Sequence, residues 1–322
     1  MQGNASLSEL THRAVSKMQT RRVTRSPLER EVNITSLRWA NDQGMVGDDL
    51  SEARLIGVEC GSFASCSYQN GSREMVQLCA DFVAWLFLFD DRYCEAFDAD
   101  VAGLRLFFRE YEALMRKEDA RPLTPFQAAL FDVKERAMRD HGADRRWVER
   151  FATDLEGYFA GCAEEAPFRK SGRFPTVEEY RALRLGTIGA RPLFDLIELG
   201  SGYLDDVPEL SDETKAKTFT RAREAASLTF GWINDVFSYR KESRMGDPLN
   251  LVAVLENQYS LSAEEAFEAA VDVFRAELSL LEEESARLRD GGVSATLDRY
   301  LVGLEDWLHG NLAWSSTCPR YR

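Results

Sequence analysis

Two stretches of the chain gather side chains able to do chemistry at helical spacing. The first, Phe89-Asp90-Asp91-Arg92-Tyr93-Cys94-Glu95, closes the strongest apolar run, Phe82-Val-Ala-Trp-Leu-Phe-Leu-Phe89. At about 100° per residue, Asp91 and Glu95 share a helix face with Asp90 one step around it, so two or three carboxylates can converge on one small volume. Carboxylate oxygens are hard donors suited to Mg²⁺, and acids at a helix C-terminus oppose the helix dipole, which calls for a cation nearby. The second stretch is Trp232-Ile-Asn234-Asp235-Val-Phe-Ser238-Tyr-Arg-Lys241-Glu242. Asn234, Ser238 and Glu242 follow one another at four-residue spacing and drift only about 40° per step, forming one polar stripe. Asn and Ser compete for backbone hydrogen bonds and are not favoured inside a helix without a use. An amide, a hydroxyl and one carboxylate give three oxygen ligands with a single negative charge, a set that leaves Mg²⁺ able to bind an anion as well. Alone, either stretch also fits a solvated acidic helix end or a satisfied polar stripe within a bundle.

Two weaker features accompany them. The C-terminus, Trp314-Ser-Ser-Thr-Cys-Pro-Arg320-Tyr321-Arg322, ends helical structure at Pro319 and then offers a guanidinium fork and a phenol, both donors to phosphate oxygens. In Arg181-Ala-Leu-Arg184-Leu-Gly-Thr187-Ile188-Gly189, a guanidinium lies on an apolar-periodic segment that Pro192 must kink or break.

Other chemistries have little support. The six cysteines are scattered without a C-x-x-C pair, and none of the three histidines has a partner at zinc or Ser/His/Asp spacing. Forty Lys+Arg against 54 Asp+Glu leaves a net charge of −14, the wrong sign for a protein that neutralises phosphate backbones, so no nucleic-acid partner is expected. No apolar run approaches the roughly 18 residues of a membrane helix, and no membrane association is expected. The N-terminus lacks a secretory pattern, and the first 30 residues read as a flexible arm of a cytoplasmic protein.

The elements that must position these residues are helices. Apolar residues recur at three- and four-residue spacing nearly throughout, while alternating Val/Ile/Thr runs joined by Asn-Gly or Asp-Gly turns are missing. The pattern predicts helices near 35–44, 72–95, 99–117, 124–140, 145–163, 176–199, 211–244, 262–289 and 294–315. Breakers separate them at Pro122 and Pro125, Gly142, Pro167 to Pro175, Gly200 to Pro208, and Gly246-Asp247-Pro248. The fold class is all-α, a single-domain bundle over 31–322 without an internal repeat.

Taken in order, D-D-x-x-x-E, an Arg on a Gly/Pro-broken helix, N-D-x-x-S-x-x-K-E and a terminal W-x-x-x-x-x-R-Y resemble the class I terpene synthases, in their microbial single-domain sesquiterpene form. Gly246-Asp-Pro-Leu-Asn-Leu-Val252 resembles the segment that follows in that family, and Lys241 beside Glu242 is nearer to fungal members. The resemblance runs from about Trp39 to the C-terminus. It implies an α-helical bundle of the isoprenoid synthase type around an apolar cavity. Asp90 and/or Asp91, with Glu95 nearby, would bind metal from one side of the mouth, and Asn234, Ser238 and Glu242 would bind one ion from the other. Three Mg²⁺ ions, with Mn²⁺ as a substitute, would hold the diphosphate of a prenyl substrate. Arg184 would sense the diphosphate, with Arg181 and Arg191 as alternatives, while Lys241, Arg320 and Tyr321 would add donors. Phe87, Phe230 and Trp314 would line the cavity and stabilise cations. Thr187 and Ile188 stand where many relatives carry an acid and a glycine at the helix break, so the effector falls among Thr187, Ile188 and Gly189. The resemblance implies a cyclase of farnesyl diphosphate, and homodimers are common in the family. The alternatives are a prenyl-elongating synthase on the same fold and a non-catalytic helical isoprenoid-binding or scaffold protein.

Overall fold

The computed structural model describes residues 6–19, 21, 23, 25–94, 101–117 and 120–321. Among them all regular structure is helical. The first part of the chain forms α1 (Leu7–Met18), α2 (Glu29–Asp42), α3 (Asp49–Val58), α4 (Cys60–Ser67), α5 (Arg73–Phe89), α6 (Val101–Arg116) and α7 (Pro125–His141). Then come α8 (Arg145–Ser171), α9 (Val177–Thr187), α10 (Ala190–Asp195) and α11 (Glu198–Ser201). The longest helix, α12 (Glu213–Met245), is followed by α13 (Leu251–Tyr259), α14 (Ala263–Arg289) and α15 (Ala295–Ser315).

The helix ends are written in the sequence. Ser72, Thr124, Asp144, Thr176, Asp212, Ser262 and Ser294 each accept a first-turn backbone N–H with their side chain, and Pro125 sits at the first position of α7. Gly142, Gly172 and Gly246 close α7, α8 and α12 in the left-handed conformation that only glycine adopts without strain.

Two helices run through the middle. In α5 nearly every residue from Met75 to Phe89 is buried, because α2, α3, α4 and α7 pack around it. In α12 burial runs from Ala225 to Tyr239, against α14, α15, α13 and α9. The two acidic stretches thus sit on, or at the end of, two long helices whose site-bearing parts are enclosed. Close packing fixes the surrounding frame: a Cβ on Gly310 of α15 would meet the Cys66 carbonyl of α4 at 2.0 Å. A Cβ on Gly161 would meet the Thr187 backbone at 2.9 Å, so glycine lets α9 lie directly on α8.

The structure departs from the sequence reading in several places. Within the expected arm of residues 1–30, Leu7–Met18 is a helix with a Ser6–Glu9 capping box. Its Leu10, Ala14, Val15 and Met18 are buried, and Arg13 and Lys17 pair with Glu264 and Glu268 of α14. The spacing of those four apolar residues is the physical reason, since it gives the segment one face to bury. Pro167 does not end α8; the helix runs on to Ser171, whose hydroxyl donates to the Pro167 carbonyl at 2.8 Å. The break near Pro192 belongs to Gly189, at φ 64°, while Pro192 lies in the first turn of α10, where no N–H is required of it. Helices α3, α4 and α13 lay outside the expected set; they are only eight to ten residues long, and Leu251–Tyr259 and Cys60–Ser67 have too little polar contrast to show a period. No helix among the described residues is long and apolar enough to cross a membrane.

Substituting Gly310→Ala is expected to cost about 3 kcal/mol or more, the upper end for overpacking, because the obstructing atom is backbone. Gly157→Ala, whose Cβ would meet nothing within 4 Å, is expected to be neutral or to stabilise by up to ~1 kcal/mol. Urea unfolding of the two variants checks both.

Candidate active site

The end of α5 places the first acids. Beyond Phe89 the chain widens into a π-helical turn, Asp90–Cys94, and the two aspartates part company there. Asp90 faces a cavity and accepts a hydrogen bond from the Tyr158 hydroxyl at 3.0 Å. Asp91 turns to the C-terminal segment, where Arg320 grips it with both terminal nitrogens, at 2.6 and 3.1 Å. Burial works against the Asp91 carboxylate, but Arg320, with Lys241 and Arg54 beyond it, prevails and holds its pKa below the usual range. The Arg320 guanidinium also lies 4.9 Å over the ring of Phe87. Glu95 and Arg322 lie outside the described residues.

The middle of α12 supplies the facing wall. Asn234 accepts from Arg184 Nη2 at 2.7 Å and donates through Nδ2 to the Tyr321 hydroxyl at 2.9 Å. Arg184 also pairs with Asp235 at 2.6 Å, and Asp235 further accepts from the Tyr180 hydroxyl and the Leu251 N–H at 2.8 and 2.9 Å. Arg184 reaches these groups by crossing α12 at Gly231, where a Cβ would stand 2.9 Å from its Cγ. Asn250, the residue capping α13, spreads its amide Nδ2 over the Asp235 carbonyl, Glu242 Oε2 and, more distantly, the Ser238 hydroxyl, at 2.9, 2.8 and 3.4 Å. One amide with two protons thereby holds three turns of the stripe in register. Burial, helped by Asp235 and Asp247 and opposed by Asn250 and Arg184, raises the Glu242 carboxyl to a pKa of about 7.

Between these walls lies a cavity with about 760 Å³ of space, mouth included. Phe63, Val83, Leu86, Phe87, Ile188, Leu193, Phe230 and Leu249 make its apolar lining. Asp90, Glu165, Arg169, Arg184, Asn234, Glu242 and Asp247 make the polar end. Of the expected residues, Asp90, Asn234, Glu242, Arg184, Phe87, Phe230, Thr187 and Ile188 are therefore brought together. Asp91, Arg320 and Tyr321 form a bridge beside them. Ser238 is buried next to Asn250 without facing the cavity, and Lys241 stands half-buried near Asp91. Trp314 is not in the lining: fully buried, it donates to the Val58 carbonyl at 2.8 Å and backs Phe63, Phe87 and Tyr321 from behind. Gly189 supplies the turn between α9 and α10 rather than a wall. Arg181 and Arg191 pair with Glu277 and Glu224, away from the cavity, which leaves Arg184 as the guanidinium at its polar end from that segment.

Sequence reasoning missed Glu165, Arg169, Asp247, Tyr158, Tyr180, Asn250 and Gly231. Arg169 pairs with Glu165 at 2.8 Å and Asp247 at 3.2 Å, and donates to the Cys94 carbonyl at 3.2 Å, tying α8 to both walls. The four-residue spacing of Glu165 and Arg169 was a visible signal, hidden by treating Pro167 as a helix breaker. The others act across elements, where spacing along one helix carries no information.

The donor set fits hard cations and an anion together. Asp90, Asn234 and Glu242 each bring a side-chain oxygen of the kind Mg²⁺ requires to the cavity lining, and Glu165 and Asp247 add negative charge around them. Beside them Arg184 Nε and Thr187 Oγ1 are buried without a hydrogen-bond partner, on two residues that line the cavity.

Comparison with known proteins accords with this geometry. Residues 81–279 match the family described as terpene synthase family 2, C-terminal metal binding. The (+)-T-muurolol synthase, farnesyl diphosphate cyclizing, of Roseiflexus castenholzii is 31% identical over 92% of this chain and 90% of its own length. Sesquiterpene synthase 3 of the fungus Postia placenta is 29% identical over 83% of this chain and 72% of its own. Among solved structures, germacradien-4-ol synthase from Streptomyces citricolor superposes with a TM-score of 0.78 at 25% identity, covering 92% of this chain and 98% of that one. Bacterial and fungal sesquiterpene synthases are thus similar to nearly its whole length, and the chain belongs to terpene synthase family 2 as a class I terpene synthase, a lyase.

Proposed function

We propose that this enzyme binds farnesyl diphosphate with Mg²⁺, ionises it and cyclises the allylic cation to a sesquiterpene hydrocarbon or alcohol, releasing diphosphate. The observation that carries the reading is one cavity with an apolar aromatic lining and a mouth where the Asp90 end of α5 faces the Asn234–Glu242 stripe of α12. The choice of substrate is supported by relatives named for cyclizing farnesyl diphosphate.

In this reading Asp90 would hold metal from the α5 side, and Asn234 and Glu242 from the α12 side, three ions in all, with Ser238 between those two on the same stripe and held by Asn250. When bound, Mg²⁺ supplies positive charge that stabilises the departing diphosphate. The chain's own residues do the rest. Arg184, at the polar end of the cavity, would attract the leaving group and is kept charged, since Asp235 and its other acidic neighbours outweigh the burial that would lower its pKa. Thr187 Oγ1, at the break after α9, adds a hydroxyl donor. Arg320 and Tyr321 cover the mouth from the C-terminal side, so that ionisation happens out of water. Phe63, Phe87 and Phe230 then present ring faces to the cation, an attraction of about 0.5 to 2 kcal/mol each. The aliphatic walls offer no nucleophile and hold the chain in a fold by shape.

The test is incubation of the purified protein with farnesyl diphosphate and Mg²⁺, with an EDTA control, analysed by gas chromatography and mass spectrometry. Metal-dependent cyclic sesquiterpene is the expected result; no product from farnesyl, geranyl or geranylgeranyl diphosphate would overturn the reading. Asn234→Ala is expected to lower turnover about 100-fold or more with an unchanged circular dichroism spectrum. Phe230→Ala is expected to redistribute products while costing about 3 kcal/mol of stability. Glu242 gives a pH signature. Its carboxyl holds a proton more tightly in the folded chain than at its ordinary value of 4.5, so metal-free stability falls as pH rises from there to about 7. Metal requires the ionised form, so the rise in melting temperature caused by Mg²⁺ and diphosphate should grow through that window. Glu242→Gln should flatten it, as differential scanning fluorimetry across pH will show.

A further inference from the structure

The π turn does more than separate two aspartates. Its wide pitch sets Asp90 and Cys94, four residues apart, on one side, where α8 presents Tyr158 and Cys162, again four apart. The Asp90 carboxylate, the Cys94 thiol and the Cys162 thiol all place a ligand atom within 4.8 Å of one another. The Tyr158 hydroxyl adjoins them, 3.0 Å from Asp90 Oδ1 and 3.5 Å from the Cys94 sulfur. Both cysteines are buried, at 5% and 2% exposure, but Asp90 and Tyr158 line the cavity, so the cluster adjoins a path open to small ions.

We propose that Cys94, Cys162 and Asp90 form a binding site for a thiophilic divalent cation of the zinc type. Two thiolates and a carboxylate are a three-ligand set for tetrahedral zinc, with a fourth position left for water. Mg²⁺ does not take sulfur ligands, so the donor chemistry separates this site from the oxygen-lined one beside it. Binding is balanced by the loss of one proton from each thiol to solvent, two sulfur–metal bonds and one oxygen–metal bond forming. The resulting centre has a net charge of −1, beside the Arg169 guanidinium that already donates to the Cys94 carbonyl at 3.2 Å. Asp90 belongs to both sites. A soft cation that draws it toward the sulfurs removes an oxygen from the Mg²⁺ side and stops ionisation, a consequence that rests on the function proposed above.

The experiment is titration of the metal-free, reduced protein with Co²⁺, followed by absorption spectroscopy. One equivalent is expected to raise a thiolate-to-cobalt charge-transfer band and the visible bands of tetrahedral cobalt, displaced by Zn²⁺ and not by excess Mg²⁺. Cys162→Ala and Cys94→Ser should each abolish the charge-transfer band, and Cys60→Ala should retain it. No band in the wild type, or a band that survives both Cys162→Ala and Cys94→Ser, overturns the site; these spectra decide the matter whether or not the protein turns over any prenyl diphosphate. On active enzyme, Zn²⁺ added over Mg²⁺ should slow diphosphate release roughly tenfold or more in the wild type. Cys162→Ala should resist it. Equal inhibition of both overturns the sharing of Asp90.

Discussion

Two like-charged helix faces must be held across an apolar gap, and the short turn Arg320–Tyr321 ties them together above the packing of α4 and α15. Arg320 takes Asp91 from the end of α5, and Tyr321 takes Asn234 from the middle of α12. At the polar end of the cavity itself, Asp90, Glu165, Glu242 and Asp247 are countered by Arg169 and Arg184, since unpaired charges are costly in a poorly solvated space. The tail is seated in turn by its own apolar contacts. The Tyr321 ring packs against Phe237 and Trp314, and Trp314 is tied to α3 through the Val58 carbonyl. A contact made at the far end of the chain thus governs the geometry of residues more than two hundred positions earlier.

Three guanidiniums divide the remaining work. Arg184 neutralises Asp235 and orients Asn234, Arg169 joins Glu165, Asp247 and the Cys94 carbonyl, and Arg320 holds Asp91. Each is anchored on a different element, so the mouth is framed from α9, α8 and the C-terminal turn at once. Asn250 completes the frame by linking α13 to the polar stripe. Such a site is preorganised by fixed dipoles and charges, and little rearrangement is left for the moment of reaction.

What was legible in the sequence follows from this division. Residues that share a helix, such as Asn234, Ser238 and Glu242, announce themselves by spacing, and the apolar period of α5 and α12 located both walls. The all-helical fold was readable for the same reason. Contacts between elements leave no such trace: nothing in the order of residues shows that Tyr180 reaches Asp235, or that Gly231 is a glycine because Arg184 crosses it. The divergence of Asp90 from Asp91 was likewise invisible, since it depends on the local switch from α to π winding. Leu7–Met18 has a clear apolar period of its own, yet its four buried residues find their partner only in α14, far along the chain, so the first 30 residues read as an arm.

Phe87 belongs to two assemblies. One face of its environment is the cavity; the other is the Arg320 guanidinium, 4.9 Å away, with Phe63 and Trp314 completing the aromatic cluster. A ring in that place cannot be exchanged for a smaller side chain without also loosening the bridge it supports. The cavity wall can therefore be reshaped with less disturbance of the bridge at Ile188 and Leu193, whose side chains line the same space without meeting Arg320.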